Sequence, residues 1–437
     1  MKLCGSKFFV KVKSVCILIV ASSCLVPLIT ILNHRPSLLK TYRTVNFHIL
    51  TRIPGSFLNN RKPANESYCK FNYGLPGNFD IPEEKLHYAP ESGEKSPYRI
   101  LYNVVESSHA SSSVSLTYVT HSSPEFFNYI SEVVVHWEGP ISIAVFVPDS
   151  DADIIIRQLF LLCQCLTDMS KVSLHFVFPA KDPPFVAVPI TKRITTCNLR
   201  DTSAQQSYRT RNKLSYPVNV CRNAAKIAAN THYVLVSDVE LVPSECLASR
   251  FLKMIEKASK RFVNPSVVYV VPVFEIERYE EVPRNKDKLL DLIKDERAVY
   301  FHRHLCFHCQ KFPGLQNWLQ DDPGDVIKPL LSVKREYPFH RWEPIYIGTK
   351  SDPYYSEVLT WEGKQDKMTQ MLEMCLIGYK FVILDGAFLV HWPGIKRKSM
   401  DMKIRNKWRS PYLLQNSRQY SLIINKLFNK YSKNSKC

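Results

Sequence analysis

Asp238 and Glu240 stand one residue apart at the end of the apolar run Tyr233–Ser237. Side chains two apart on an extended chain point the same way, so the two carboxylates face one side. Paired carboxylates can hold a hard divalent cation, and that cation can hold a diphosphate. The place suits such a task, because open α/β sheets bind ligands beyond the carboxyl ends of their strands. His391 directly follows a second apolar run, Phe381–Val390, and its imidazole is a candidate third ligand for Mn2+ or a similar ion. Both features also have plain structural uses. A D-x-E at a strand end can cap a turn, and a histidine beside a strand can be a satisfied core residue.

A second group is Cys306-Phe-His-Cys309, with His302, His304 and His308 around it. It has the look of a zinc cluster, but a single C-x-x-C falls short of the four ligands at set spacing that structural zinc requires. In an oxidising compartment a disulfide with surface histidines is the expected state.

The elements that position these groups follow from hydrophobic pattern. Leu116–His121, Ile141–Pro148 and Val172–Pro179 are apolar strand-like runs, and 151–167 reads as a helix with Asp151 near its start. Strand, helix, strand with continuous apolar strands predicts a parallel α/β sheet covered on both faces. A second unit predicts a helix over 219–230, a strand over 233–237 and a helix over 245–258 with Ser244 as its N-cap. Pro272 interrupts the strand predicted over 267–274 and marks an edge or the end of pairing. Helices over 286–298, 364–378 and 411–431, and a bent strand or strand pair over 381–390, complete the pattern.

These elements occupy only part of a 437-residue chain with formal charge +18. The charge is terminal. Residues 1–13 carry four lysines and no acid, and residues 396–437 carry twelve basic residues against Asp401 alone, which leaves +3 for everything between. From Val15 to Leu32, 18 consecutive uncharged and mostly apolar residues meet the length of a membrane-spanning helix. Lys7, Lys11 and Lys13 place the short tail, 1–14, in the cytosol and the body on the far side. A cleaved signal peptide would deliver the body to the same side. A chain so routed is not a nuclear or cytosolic nucleic-acid binder, whatever its charge. Residues 33–110, punctuated by proline, read as a luminal stem carrying the sequon Asn65-Glu66-Ser67. Ten cysteines follow the anchor, several of them expected in disulfides whose pairing stays open. The remainder divides into an α/β domain over 111–410 and a basic helical tail over 411–437.

Three stretches carry a resemblance. They are GPISIAVFVP (139–148), YPVNVCRNAAKIAANTHYVLVSDVELVPS (216–244), and the late segment from WEPIYI (342–347) through DPYYSEVLTWEGKQDKMTQMLEMCLIGYKFVILDGAFLVHWPG (352–394). In order and spacing, over roughly 110–410, they resemble glycosyltransferase family 49, which holds the β-1,4-glucuronyltransferases of dystroglycan O-mannosyl glycan synthesis. The resemblance implies a GT-A-like, Rossmann-type mixed sheet flanked by helices, in a Golgi type II membrane protein. It implies a Mn2+-dependent, inverting transfer of glucuronate from UDP-glucuronate to a xylose-ended glycan on a glycoprotein, beside partner glycosyltransferases. Matched position by position, Asp238 and Glu240 fall on the D-x-D metal motif and His391 on the late histidine. Asn219, Arg222 and Asn223 fall on the segment where the nucleotide would lie.

An inverting transfer needs a base for the acceptor hydroxyl. Glu362 and Asp366 in TWEGKQDKM are the candidates, with Glu343 behind them. Trp361 can stack on a sugar face or simply be core. Lys396, Arg397, Arg211 and Lys213 compete to meet the glucuronate carboxylate. The chain departs from the family pattern at Glu240, where the motif usually has Asp. The extra methylene moves the carboxylate by about a bond length. A catalytically weak or inactive relative that binds glycan or acts as a scaffold is therefore the alternative to an active transferase.

Overall fold

Part of the stretch read as stem belongs to the body. Residues 70–106 supply β1 (Lys70–Phe71), β2 (Leu86–Tyr88) and β3 (Tyr98–Glu106). Ile100, Leu101, Val104 and Val105 of β3 are fully buried, as is Leu58 ahead of them. The computed structural model describes residues 54–437, apart from 60, 109–113, 188–193, 200–205, 259–265, 323, 398–399, 432–433 and 435, and side chains within 400–407. The tail, the apolar run 15–32 and the stem before residue 54 lie outside the described residues. Among those described, no helix is long and apolar enough to cross a membrane.

The three apolar runs become β4 (Leu116–Ser122), β5 (Ile141–Phe146) and β6 (Val172–Pro179), and every residue of β4 and β5 is buried. The helix α1 (Asp151–Cys165) links β5 to β6 as the pattern predicts. β5 pairs parallel with β4 and β6. After α2 (Val218–Ala228), β7 (Tyr233–Val236) adds parallel to the other side of β4. The loop bearing Asp238 and Glu240 thus leaves the carboxyl end of a central strand, where such sheets bind ligands.

The second half supplies β8 (Leu241–Pro243), β9 (Val267–Val270), β10 (Val273–Ile276), β11 (Ala298–Tyr300), β12 (Lys328–Val333), β13 (Tyr346–Thr349), β14 (Lys380–Asp385) and β15 (Leu389–His391). Among its helices are α3 (Leu247–Ala258), α4 (Met368–Ile377) and α5 (Met400–Tyr431). Among the described residues, eleven strands make one mixed sheet in the order β1-β3-β6-β5-β4-β7-β13-β9-β14-β12, with β2 beside β3. Four more make a second sheet in the order β11-β10-β15-β8. Pro272 ends β9 as expected, but β9 is no edge: it lies between β13 and β14, and past the proline the chain enters the second sheet as β10. The run 381–390 divides in the same way, with β14 in the first sheet and β15 in the second.

Two smaller expectations change. The oxygen Oγ of Ser244 accepts from Phe388 N–H at 3.2 Å, so it ties α3's approach to the turn before β15 instead of capping the helix. The terminal helix starts at Met400 and runs through Pro411. It is no loose tail: Asn416 is 1% exposed, and Cys437 is disulfide-bonded to Cys375 of α4. The other pairs are Cys69–Cys163, Cys165–Cys197 and Cys306–Cys309, while Cys221 and Cys246 keep free thiols.

Candidate active site

Asp238 turns Oδ1 toward His121 Nε2 and an Arg222 nitrogen, each 3.1 Å away, and its Oδ2 lies 3.7 Å from Lys367 Nζ. Burial alone would raise the Asp238 carboxyl, but Lys367, His121 and Arg222 hold it well below the usual carboxylate range. It stays ionised. His121 comes from the carboxyl end of β4, and its Nδ1 lies 2.8 Å from the Tyr216 hydroxyl, which continues the row.

Glu240 meets a different neighbour. The pairing of β8 with β15 aligns His391 with Leu241, which brings the imidazole beside the preceding residue. Glu240 Oε2 is 3.4 Å from His391 Nε2 and 3.6 Å from Lys396 Nζ. His391 is 3% exposed, and neither ring nitrogen makes a well-formed hydrogen bond among the described residues, its contacts being the loose one to Glu240 at 3.4 Å and one toward the Gly394 backbone. A buried imidazole so loosely held, next to a carboxylate, fits a divalent cation. Asp238 does not join them in a ready set of ligand atoms. Arg222, His121 and Lys367 draw its carboxylate away, so two of the three expected ligands meet and the third stands apart.

Polar residues recur on α2 at 219, 222, 223 and 226, the spacing of one helix face. All four are buried, and they hold the segment 352–366. Asn219 Nδ2 donates to the carbonyls of Ser356 and Asp366, both at 2.8 Å. Asn223 donates to the Tyr355 carbonyl at 2.8 Å and accepts from the Tyr355 N–H at 3.1 Å. Lys226 Nζ donates to the carbonyls of Asp352 and Pro353. Asn219 and Asn223 are wholly buried, and their amides are engaged in holding this loop. Arg222 joins the two halves of the site by pairing with both Asp238 and Asp366.

The candidate bases separate on the same grounds. Glu362 is 0% exposed, lies 2.5 Å from Arg209 Nη2, and accepts the Tyr216 N–H at 3.0 Å. So enclosed, this carboxylate is engaged in the fold, by Arg209 and the Tyr216 amide. Burial would raise the Asp366 carboxyl, but Arg222 and Lys367 hold it low. Glu343 has no ion pair among the described residues, and burial pushes its carboxyl up. The turn carrying Glu362 is fixed from α5. Asn416 accepts from Thr360 N–H at 3.1 Å and donates to the carbonyls of Thr360 and Lys364 at 2.9 and 2.8 Å. A Cβ on Gly363 would stand 2.1 Å from Asn416 Cγ, so no side chain fits there.

A family model described as a glycosyl-transferase for dystroglycan matches residues 115–432. The chain belongs to glycosyltransferase family 49. Beta-1,4-glucuronyltransferase 1 of Bos taurus is 28% identical over 332 residues, which span 72% of this chain and 77% of the relative. The Homo sapiens protein of that name is 27% identical over the same spans. Xylosyl- and glucuronyltransferase LARGE1 of Homo sapiens is 24% identical over 285 residues, 65% of this chain and 32% of that protein.

Within this family 49 member the remaining predicted residues fall at the margins. Arg397 pairs with Glu277 at 2.5 Å, and Arg211 reaches Ser150 Oγ at 3.3 Å, which leaves Lys396 nearest Glu240. Lys213 is exposed, and its carbonyl accepts from the Tyr412 hydroxyl. Trp361 is 38% exposed, and the Arg409 guanidinium lies 4.0 Å from its ring centre. Asn65 is exposed. Cys306 and Cys309 are bonded to each other, which removes the thiolates a zinc ion would need. Two residues escaped the sequence reading, His121 and Lys367. His121 was legible, being a titratable group at the carboxyl end of a predicted parallel strand. Lys367 adjoins the Asp366 candidate but carried no signal of its own.

Proposed function

We propose that the protein transfers glucuronate from UDP-glucuronate, with inversion, to a xylose-ended glycan on a glycoprotein, as a GT-A-type enzyme anchored by residues 15–32 in the Golgi membrane. The observation that carries this reading is the grouping of Glu240, the loosely held His391 and Lys396 at the carboxyl end of β7 in a family 49 chain. The names of the 28% and 27% identical relatives support glucuronate as the sugar. Asn65, exposed in a sequon, would carry N-linked glycan on the luminal side.

Glu240 and His391 would hold the divalent cation, Mn2+ on this reading, which when bound neutralises the departing UDP. Lys396, 3.6 Å from Glu240, would pair with the glucuronate carboxylate. Arg222 and Lys367 keep Asp238 ionised and hold it against the 352–366 segment. Glu343 would take the proton of the acceptor hydroxyl: unlike Glu362 it is partly exposed, it has no ion pair among the described residues, it lies near enough to Asp366 and Lys367 to feel their charges, and burial raises its proton affinity. Asp366, held low by Arg222, positions and does not accept that proton.

A second reading, a glycan-binding relative without turnover, draws on Asp238 being turned away from Glu240 and His391. One assay separates the two. The full chain is incubated with a panel of UDP-sugars and Mn2+, with and without a xyloside acceptor, and UDP release is measured. Acceptor-dependent release from UDP-glucuronate alone is expected. Metal-dependent UDP binding without release would favour the second reading, and neither would overturn both.

A further inference from the structure

We propose that Cys306–Cys309 is a thiol–disulfide exchange site, taking a thiol carried next to an aromatic or aliphatic group. This does not depend on the transferase reading. Cys69–Cys163, Cys165–Cys197 and Cys375–Cys437 join positions 94, 32 and 62 residues apart. Five of their six cysteines are at most 8% exposed. Cys306–Cys309 joins positions 3 apart, and both of its residues are partly exposed. The stabilisation from a cross-link grows with the loop it closes, so this pair contributes least to keeping the chain folded.

Its surroundings suit exchange. His308 Nε2 lies 3.5 Å from Cys306 Sγ. A cavity of about 540 Å³ begins at Phe307 and His308, between the two cysteines in sequence, and is lined further by Phe312, Leu315, Phe339, Lys311 and Arg341. Cationic, partly exposed surroundings stabilise a thiolate. Phe307 is 60% exposed, so the apolar wall is open to an incoming group. None of the carboxylates of the transferase site lines this cavity.

The step balances. An incoming thiol gives its proton to His308 and attacks Cys309 Sγ. The new S–S bond forms as the Cys306–Cys309 bond breaks, and the electron pair leaves on Cys306 Sγ, which the imidazolium beside it stabilises. A second thiol of the same partner then attacks the mixed disulfide. Its two sulfurs end oxidised as a disulfide, and Cys306 and Cys309 end reduced, holding the two protons released. An oxidised partner of the same class returns the pair to the disulfide. The pair is also wired to the transferase site, since Glu343 N–H donates to the Cys309 carbonyl at 2.8 Å and Gln310 Nε2 donates to the Glu343 carbonyl at 2.6 Å.

The test uses the full chain equilibrated in glutathione buffers of rising reduced-to-oxidised ratio, quenched by alkylation and mapped by mass spectrometry. Cys306 and Cys309 should become alkylated at a ratio at least about tenfold lower than any other pair. In Cys306→Ser, Cys309 should trap a mixed disulfide, and His308→Ala in the otherwise native chain should slow reduction about tenfold. Trapping is compared for oxidised glutathione and for the disulfide-linked dimer of a peptide with cysteine beside phenylalanine, so that the Cys309 thiolate displaces one thiol as the mixed disulfide forms. Preference for the peptide identifies a polypeptide partner, and equal trapping identifies a small thiol. Reduction only together with the buried pairs, or no trapping with either disulfide, would overturn the proposal.

Discussion

Glu240 Oε2 and His391 Nε2 stand 3.4 Å apart because β8 and β15 are paired in register, with His391 opposite Leu241. Glu240 therefore owes its neighbour to a sheet that neither local sequence announces. The longer side chain at this position is also what spans the gap.

Glu240→Asp should accordingly lower Mn2+ affinity, read by calorimetry, and reduce UDP release by about tenfold, whereas Glu240→Gln and His391→Ala should cost about a hundredfold. An aspartate variant more active than the native chain would show that the glutamate is a handicap and not a fit.

Glu362 and Glu343 should part company under mutation. Glu362→Gln leaves the half-buried Arg209 with only the more distant Glu125, 3.8 Å away, as a countercharge and should cost about 2 kcal/mol of stability, seen in denaturant unfolding, with kcat changed only a few-fold in what remains folded. Glu343→Gln should do the reverse, with a loss of kcat and of the acidic limb of the pH–rate profile but a near-native unfolding midpoint. An acidic limb unchanged in Glu343→Gln would remove it as the base.

His175 makes the fold acid-sensitive. It is fully buried, with Nδ1 accepting the Asn103 N–H at 3.0 Å and Nε2 3.0 Å from Ser142 Oγ, and burial pushes its pKa down to about 3. In the unfolded chain the value is near 6.5. The unfolded state thus takes a proton that the folded state refuses, so this stability is complete above pH 6.5 and is lost as pH falls toward 3. Between pH 7.5 and pH 5 the loss should be about 2 kcal/mol. Unfolding midpoints of the native chain and His175→Gln at the two pH values should converge by that amount, and a pH-independent difference would contradict it.

Gly363→Ala should disturb the turn that carries Glu362. The added methyl overlaps the Asn416 amide, whose four hydrogen bonds hold residues 360–364. A loss of about 2 kcal/mol is expected from overpacking and lost bonds. Gly363→Ala combined with Asn416→Gly should recover space but not the bonds, and full recovery would show that only the overlap mattered.

The runs that became β4, β5, β6 and α1 were legible because continuous apolar character has few other uses in a charged chain. The position of Asp238 and Glu240 at the end of β7 was legible for the same reason. Their partners were not. Glu362 looks like Asp366 in sequence, and only Arg209 on one and Arg222 on the other tell a clamp from a strut. The polar stripe of α2 could equally have faced water, since nothing local says that 352–366 lies over it. Strand β3 was hidden by the prolines and polar residues around it, although its two apolar pairs were in view. Disulfide partners depend on the finished fold, so no reading of spacing could supply them.

Val271-Pro272, between β9 and β10, hands the chain from one sheet to the other. The second sheet is thereby held to the first partly through a peptide that cannot donate at its proline. An ion gripped by Glu240 and His391 would tie β8 to β15 through side chains as well as main chain, and β10 and β11 lie next in the same ladder. Amide exchange in β11, which carries none of the site's residues, should therefore slow when the metal binds, with strands β5 and β6 unaffected. The small sheet would then report occupancy of the site from a strand that never touches the ligand.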